Sequence, residues 1–182
     1  DLIEDRTRNL EKLAAWDSPS DIVEACVQQY RRDPWETQPY YVEVWVEKEA
    51  LAGVIERVCN QHRTPYLSCR GYVSQSEMWR ASQRIKRAER THDECLIIHL
   101  GDHDPSGIDM SRDIVDRLNI FNPKIDLLFE RIALNMDQIE KYNPPPNPAK
   151  TTDARYQSYR QKFGEESWEL DALEPKIISD LI

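Results

Sequence analysis

The sequence predicts an α/β protein, with a parallel sheet of about four strands covered by helices on both faces. Three observations predict it. Apolar, β-branched runs of strand length alternate with stretches of helical period along most of the chain. The run Cys95 to Leu100 is apolar throughout the middle, as expected of a strand covered on both faces. Carboxylates fall just beyond the ends of the first and third predicted strands, where ligand sites of open parallel sheets collect.

The elements follow in order. Asp17-Ser18-Pro19-Ser20-Asp21 is a helix start, and Ile22, Val23, Cys26, Val27 and Tyr30 keep one apolar face until Asp33-Pro34. Tyr40 to Val46 is β-branched and aromatic and predicts the first strand. Ala50, Leu51, Val54, Ile55 and Val58 recur at helical spacing. Thr64 to Cys69 predicts a short strand, and residues 75–90 a long helix. After the third strand, residues 106–118 predict a helix, 125–132 a fourth strand and 137–142 a short helix. The run Asn143-Pro144-Pro145-Pro146-Asn147-Pro148 breaks the pattern and predicts an extended connector. Residues 149–182 predict a polar helical arm with one apolar cluster at Trp168, Leu170 and Leu173. The expected organisation is therefore an N-terminal helical segment (1–38), a central α/β domain (39–142), and a connector with its arm (143–182).

The chain has 182 residues, a net charge of −9, 40% apolar and 31% charged residues, and a mean hydropathy of −0.73. That suits one globular domain with an appendage, and it excludes a protein that coats DNA non-specifically, which needs a cationic surface. No apolar stretch approaches membrane-spanning length. Asp1-Leu2-Ile3-Glu4-Asp5 lacks the basic and apolar regions of a secretory signal. Cys26, Cys59, Cys69 and Cys95 form no CxxC pair, and His62, His92, His99 and His103 are not spaced as zinc partners. Reduced thiols and a cytoplasmic location are expected. The chain opens on Asp, and Ile177 to Ile182 reads as a helix cut short, so a piece of a longer protein is expected.

The chemistry concentrates in three acids. Glu47 closes the first strand, in Val44-Trp45-Val46-Glu47-Lys48. Asp102 and Asp104 follow the third, in Gly101-Asp102-His103-Asp104-Pro105-Ser106-Gly107. If those strands are neighbours, the three carboxylates converge on one crevice. There they repel one another unless a cation neutralises them or one is protonated. Such hard oxygen ligands suit Mg²⁺, or Mn²⁺ in its place. Gly101 and Gly107 leave backbone bare enough for a phosphate to approach. The same residues also make a good helix start, with Asp104 as N-cap and Pro105 at the first helical position.

These residues resemble the Toprim domain of topoisomerases, bacterial-type primases and OLD-family nucleases. The stretch Asp102 to Gly107 is most similar to the form found in the topoisomerase VI A subunit and its relatives, and Val46-Glu47-Lys48 resembles their first-strand motif. The similarity covers about Tyr41 to Ile132. Trp168-Glu169-Leu170-Asp171-Ala172-Leu173 is more weakly similar to the end of those subunits. The whole chain looks like bacterial and phage proteins carrying such a unit.

The resemblance implies a Rossmann-like Toprim fold. It also implies Mg²⁺ on Glu47, Asp102 and Asp104, and chemistry on DNA phosphodiester bonds, as in a nuclease or topoisomerase. Lys48 is the expected cation for charge on a phosphate oxygen, and Asp109 a further metal-side acid. Arg80, Arg84, Arg87 and Arg155 are the expected DNA contacts; the alternative is a solvated helix face. Three functions remain open: a DNA-nicking enzyme, the metal half of a topoisomerase VI A-like subunit, and a non-catalytic interaction module. In topoisomerase VI-like proteins a separate winged-helix domain carries the tyrosine nucleophile, and too few residues precede the first strand to hold one here. Expected partners are DNA, an upstream winged-helix domain and a second copy in a homodimer, with no membrane.

Overall fold

A computed structural model of the chain describes residues 15–182, so the reading of the first five residues lies outside the described residues. The chain divides into two compact units, Asp1–Asp33 and Pro34–Ile182. In the first, helix α1 (Pro19–Gln29) starts on Ser18, whose hydroxyl and the Asp21 carboxylate form a reciprocal capping box. The helix stops at Gln29, well before Pro34. Arg31 takes over the carbonyls of Gln28 and Tyr30.

The second unit is α/β. Its sheet contains β1 (Tyr40–Val46), β2 (Tyr66–Ser68), β3 (Glu94–Leu100) and β4 (Leu127–Ala133), all parallel, in the order β2-β1-β3-β4. The helices between them are α2 (Ala52–His62), α3 (Gln75–Ala88) and α4 (Pro105–Phe121), with α5 (Met136–Tyr142) after β4. Period-two alternation sorts β1 between two cores. Val44 and Val46 join Ile55, Leu100, Leu134 and Ile139 on one face. Trp45 joins Met78, Ala81, Ile85, Ile114 and Leu118 on the other. Both faces are covered, as a parallel sheet requires. Among the described residues no helix is long and apolar enough to cross a membrane. Cys59, Cys69 and Cys95 are buried and Cys26 is exposed, all as free thiols.

Residues 143–182 are not an outlying arm. The Pro-rich stretch ends in β5 (Asn147–Pro148), which pairs antiparallel with β6 (Glu166–Ser167) around helix α6 (Tyr156–Phe163). Beyond it, Trp168, Leu170, Leu173 and Ile178 of helix α7 (Pro175–Leu181) enter the core beside Val44 and Val46. Leu170 and Ile178 are fully buried. Each such burial is worth about 1.5–3 kcal/mol, which a solvated arm would forgo.

Candidate functional site

Strand register builds the site. Val46 lies opposite Leu100, so the chain leaves both strands side by side. The Glu47 amide donates to the Leu100 carbonyl at 2.9 Å, and the Asp102 amide donates to Glu47 Oε2 at 2.9 Å. Glu47 and the Asp102–Asp104 loop are therefore joined directly. Asp104 caps α4, its Oδ1 accepting from the Gly107 amide at 2.6 Å and from the Ser106 hydroxyl at 2.9 Å. The capping role and the place beside Glu47 coexist.

Two glycines let the parts close. A Cβ on Gly101 would come within 2.9 Å of Glu47 Oε2 and 3.1 Å of the Arg131 guanidinium. One on Gly107 would run into the Asp102 carbonyl and stand 3.0 Å from Glu47 Oε2. Burial, then the neighbouring Asp102 carboxylate, push the Glu47 pKa up to about 7. Burial also raises that of Asp102, against the Leu170 amide and the Lys48 ammonium.

Glu169, the Leu170 amide, Asp171 and Arg131, for which the sequence predicts no role at the acids, complete the site. Lys48 Nζ lies 3.4 Å from Asp102 Oδ2, 2.7 Å from Glu169 Oε2 and 2.9 Å from Asp171 Oδ1. Burial works against its charge, but the bonds to Glu169 and Asp171 outweigh that and raise its pKa. The Leu170 amide between those acids donates to Asp102 Oδ1 at 2.8 Å. The segment 169–171 thus grips both Lys48 and Asp102. Its signal was present in the alternating acids of Trp168-Glu169-Leu170-Asp171, but nothing local ties them to residues so far upstream. Arg131 is the fourth. From β4 it donates to the carbonyls of Gly101, Asp102 and Gly107, at 2.9, 2.6 and 3.0 Å. Burial lowers its pKa to about 10 despite Glu47 and Asp102.

The remaining predicted residues lie elsewhere. Asp109 faces Tyr72, Arg112 and Arg155, which together hold its pKa down despite partial burial. Both its oxygens are engaged there. Arg155 spans Asp109 and Asp153 and touches the Tyr72 hydroxyl. The α3 arginines do not form a uniform face. Arg84 turns to Glu43 and Glu77, because a carboxylate buried in β1 requires a cation. Arg80 reaches Glu77 at 3.4 Å, and Arg87 is exposed. His103, between the two aspartates, is buried among Tyr159, Phe163 and Trp168. Burial and Arg131 lower its pKa to about 4, which keeps it neutral.

By chemical type, carboxylate oxygens are the donors that a hard divalent cation takes. The site offers three carboxylates, two with burial-raised pKa values or direct acid neighbours, and glycine backbone around Glu47 Oε2. Among the described residues, neither Glu47 Oε1 nor Asp104 Oδ2 takes part in a hydrogen bond. Among the described residues no group of three or more His, Cys, Asp or Glu is arranged to hold a metal ion. Compared with known proteins, the chain matches no family model, no curated sequence and no solved structure.

Proposed function

We propose that the chain is a Toprim-type unit that nicks or cleaves DNA phosphodiester bonds with Mg²⁺ or Mn²⁺. The observation that carries this reading is the direct junction of Glu47 with the Asp102–Asp104 loop at the carboxyl edge of β1 and β3. Glu47, Asp102 and Asp104 would hold the ion, which when bound polarises a phosphoryl oxygen and positions the water or leaving oxygen. The chain's own part is positioning and charge. Lys48 keeps an ammonium beside Asp102 to meet charge on the phosphate. Arg131 fixes the acid loop from behind through its three carbonyls. Gly101 and Gly107 keep side chains out of the approach to Glu47.

The second reading is the metal half of a topoisomerase VI A-like subunit that needs a tyrosine from another domain. One observation favours it. The hydroxyls of Tyr41, Tyr72 and Tyr159 are bound to Glu43, Asp109 and His103, and all three have raised pKa values, chiefly through burial. None of these three is free to attack a phosphate.

Supercoiled plasmid incubated with the chain and Mg²⁺ or Mn²⁺ tests the first reading. Nicking by the unmodified chain is expected, with Glu47→Gln and Asp102→Asn each at least about 100-fold slower. Equal nicking by the variants sinks it. Mg²⁺ binding without any nicking favours the second reading.

A further inference from the structure

Between the start of α4 and helix α6 lies a cavity of about 360 Å³. Its floor includes Ile108 and Phe163, both half-buried and packed on Tyr159. Arg112, Arg155, Lys162 and Ser158 stand around it. Its single lining acid, Asp109, is shared by Tyr72, Arg112 and Arg155; Arg112 pairs also with Asp116 and Arg155 with Asp153, while Lys162 makes no ion pair among the described residues. The cavity thus combines the Lys162 ammonium and two acid-paired guanidiniums with apolar lining, and its size suits a small ligand. Anionic ligands with a flat apolar part fit that combination, and a nucleotide is one.

The cavity also adjoins the acid loop. Pro105, which follows Asp104, lines it. The His103 ring meets Phe163 edge-on, 4.7 Å between centroids, and His103 Nδ1 shares a 2.8 Å hydrogen bond with the Tyr159 hydroxyl. A ligand on this floor rests against side chains that touch the residue between the two aspartates.

We propose that this cavity seats one nucleotide of a single DNA strand, next to the phosphate that a divalent ion at the carboxylates would hold. The assignment rests on the DNA-cleaving reading above. Lys162 faces the strand's phosphate, and Ile108 and Phe163 support its sugar or base.

The test uses the full 182-residue chain and a fluorescent oligothymidylate, followed by anisotropy in EDTA so that no divalent ion contributes. Lys162→Glu and Ser158→Glu change exposed side chains, and unchanged thermal melts check that both variants fold. Each is expected to weaken binding about tenfold or more, and Lys162→Glu to flatten the salt dependence by roughly 0.7 in log–log slope. Affinity within twofold of the unmodified chain overturns the proposal. So does the absence of oligonucleotide binding, or displacement by inorganic phosphate at equal concentration, which marks a bare anion site. Plasmid nicking separates the two ideas. Variants that nick normally yet keep full oligonucleotide affinity overturn the strand site alone. An unmodified chain that never nicks, but loses oligonucleotide binding in both variants, overturns the cleavage reading alone.

Discussion

Glu43 and Glu47 lie close together in the sequence, one within β1 and one just past its end, and both are buried. Glu43 is 2% exposed, and each of its oxygens is taken twice. Arg84 donates Nε and Nη2 to its two oxygens at 3.0 and 3.1 Å, and Tyr41 and Trp45 add bonds at 2.7 and 2.9 Å. The Glu47 carboxylate, in a residue 9% exposed, accepts a single hydrogen bond among the described residues and has two further acids beside it. One carboxylate has been neutralised to hold the sheet to α3. The other has been buried with too little positive charge around it. A fold gains nothing from the second arrangement unless a ligand supplies the missing charge, and that contrast separates structural acid from functional acid here.

Substitutions test this difference between the two acids. Arg84→Met strands Glu43 as a buried, unpaired charge and is expected to cost about 3–5 kcal/mol in urea unfolding. Adding Glu43→Leu should recover most of that loss, since a packed apolar pair can replace a buried ion pair. If Arg84→Met costs less than about 1 kcal/mol, Glu43 is not held as described.

Gly107→Ala comes next. Its Cβ meets backbone rather than a movable side-chain tip, so the acid loop must shift. The expected destabilisation is about 1–3 kcal/mol, with plasmid nicking reduced more than stability accounts for. A variant with wild-type unfolding and nicking would mean the loop is not closed on Glu47.

The smallest effect is the pH response of Glu47. Its folded pKa of about 7 lies above the ordinary 4.5. Between those values the native state binds more protons than the unfolded chain, so stability falls as pH rises through that window. Metal-free unfolding should lose on the order of 2 kcal/mol between pH 4.5 and 7.5, and Glu47→Gln should flatten the slope. Mg²⁺ should restore part of it for the unmodified chain. The same slope in Glu47→Gln would place the titration elsewhere.

Much of this was legible in the sequence. The β-branched run Tyr40–Val46 marks β1 to the residue, and the strand-end positions of Glu47 and Asp102 mark the junction between them. Glu43 was not legible, because an acid alternating with apolar neighbours reads as a solvent-facing strand position. Arg131 hides for the same reason within Phe129-Glu130-Arg131-Ile132. The face of the α3 arginines depended on Glu43 and shared its obscurity. Residues 169–171 were illegible because their partners lie 68 to 123 residues away, which no local period encodes. The pairing of Asp109 with Arg155 is not legible either, since Arg155 lies 46 residues further on at the start of α6.

The bonds from residues 169–171 to Lys48 and Asp102 also set an order of events during synthesis. A growing chain can pair its four strands once β4 has emerged, since all the ladders lie upstream of it. The clamp on Lys48 and Asp102 belongs to the closing stretch of sequence and carries a large loop-closure cost. The sheet therefore precedes its own acidic centre, and a nascent chain stalled at Tyr142 holds the three acids without the contacts that complete them.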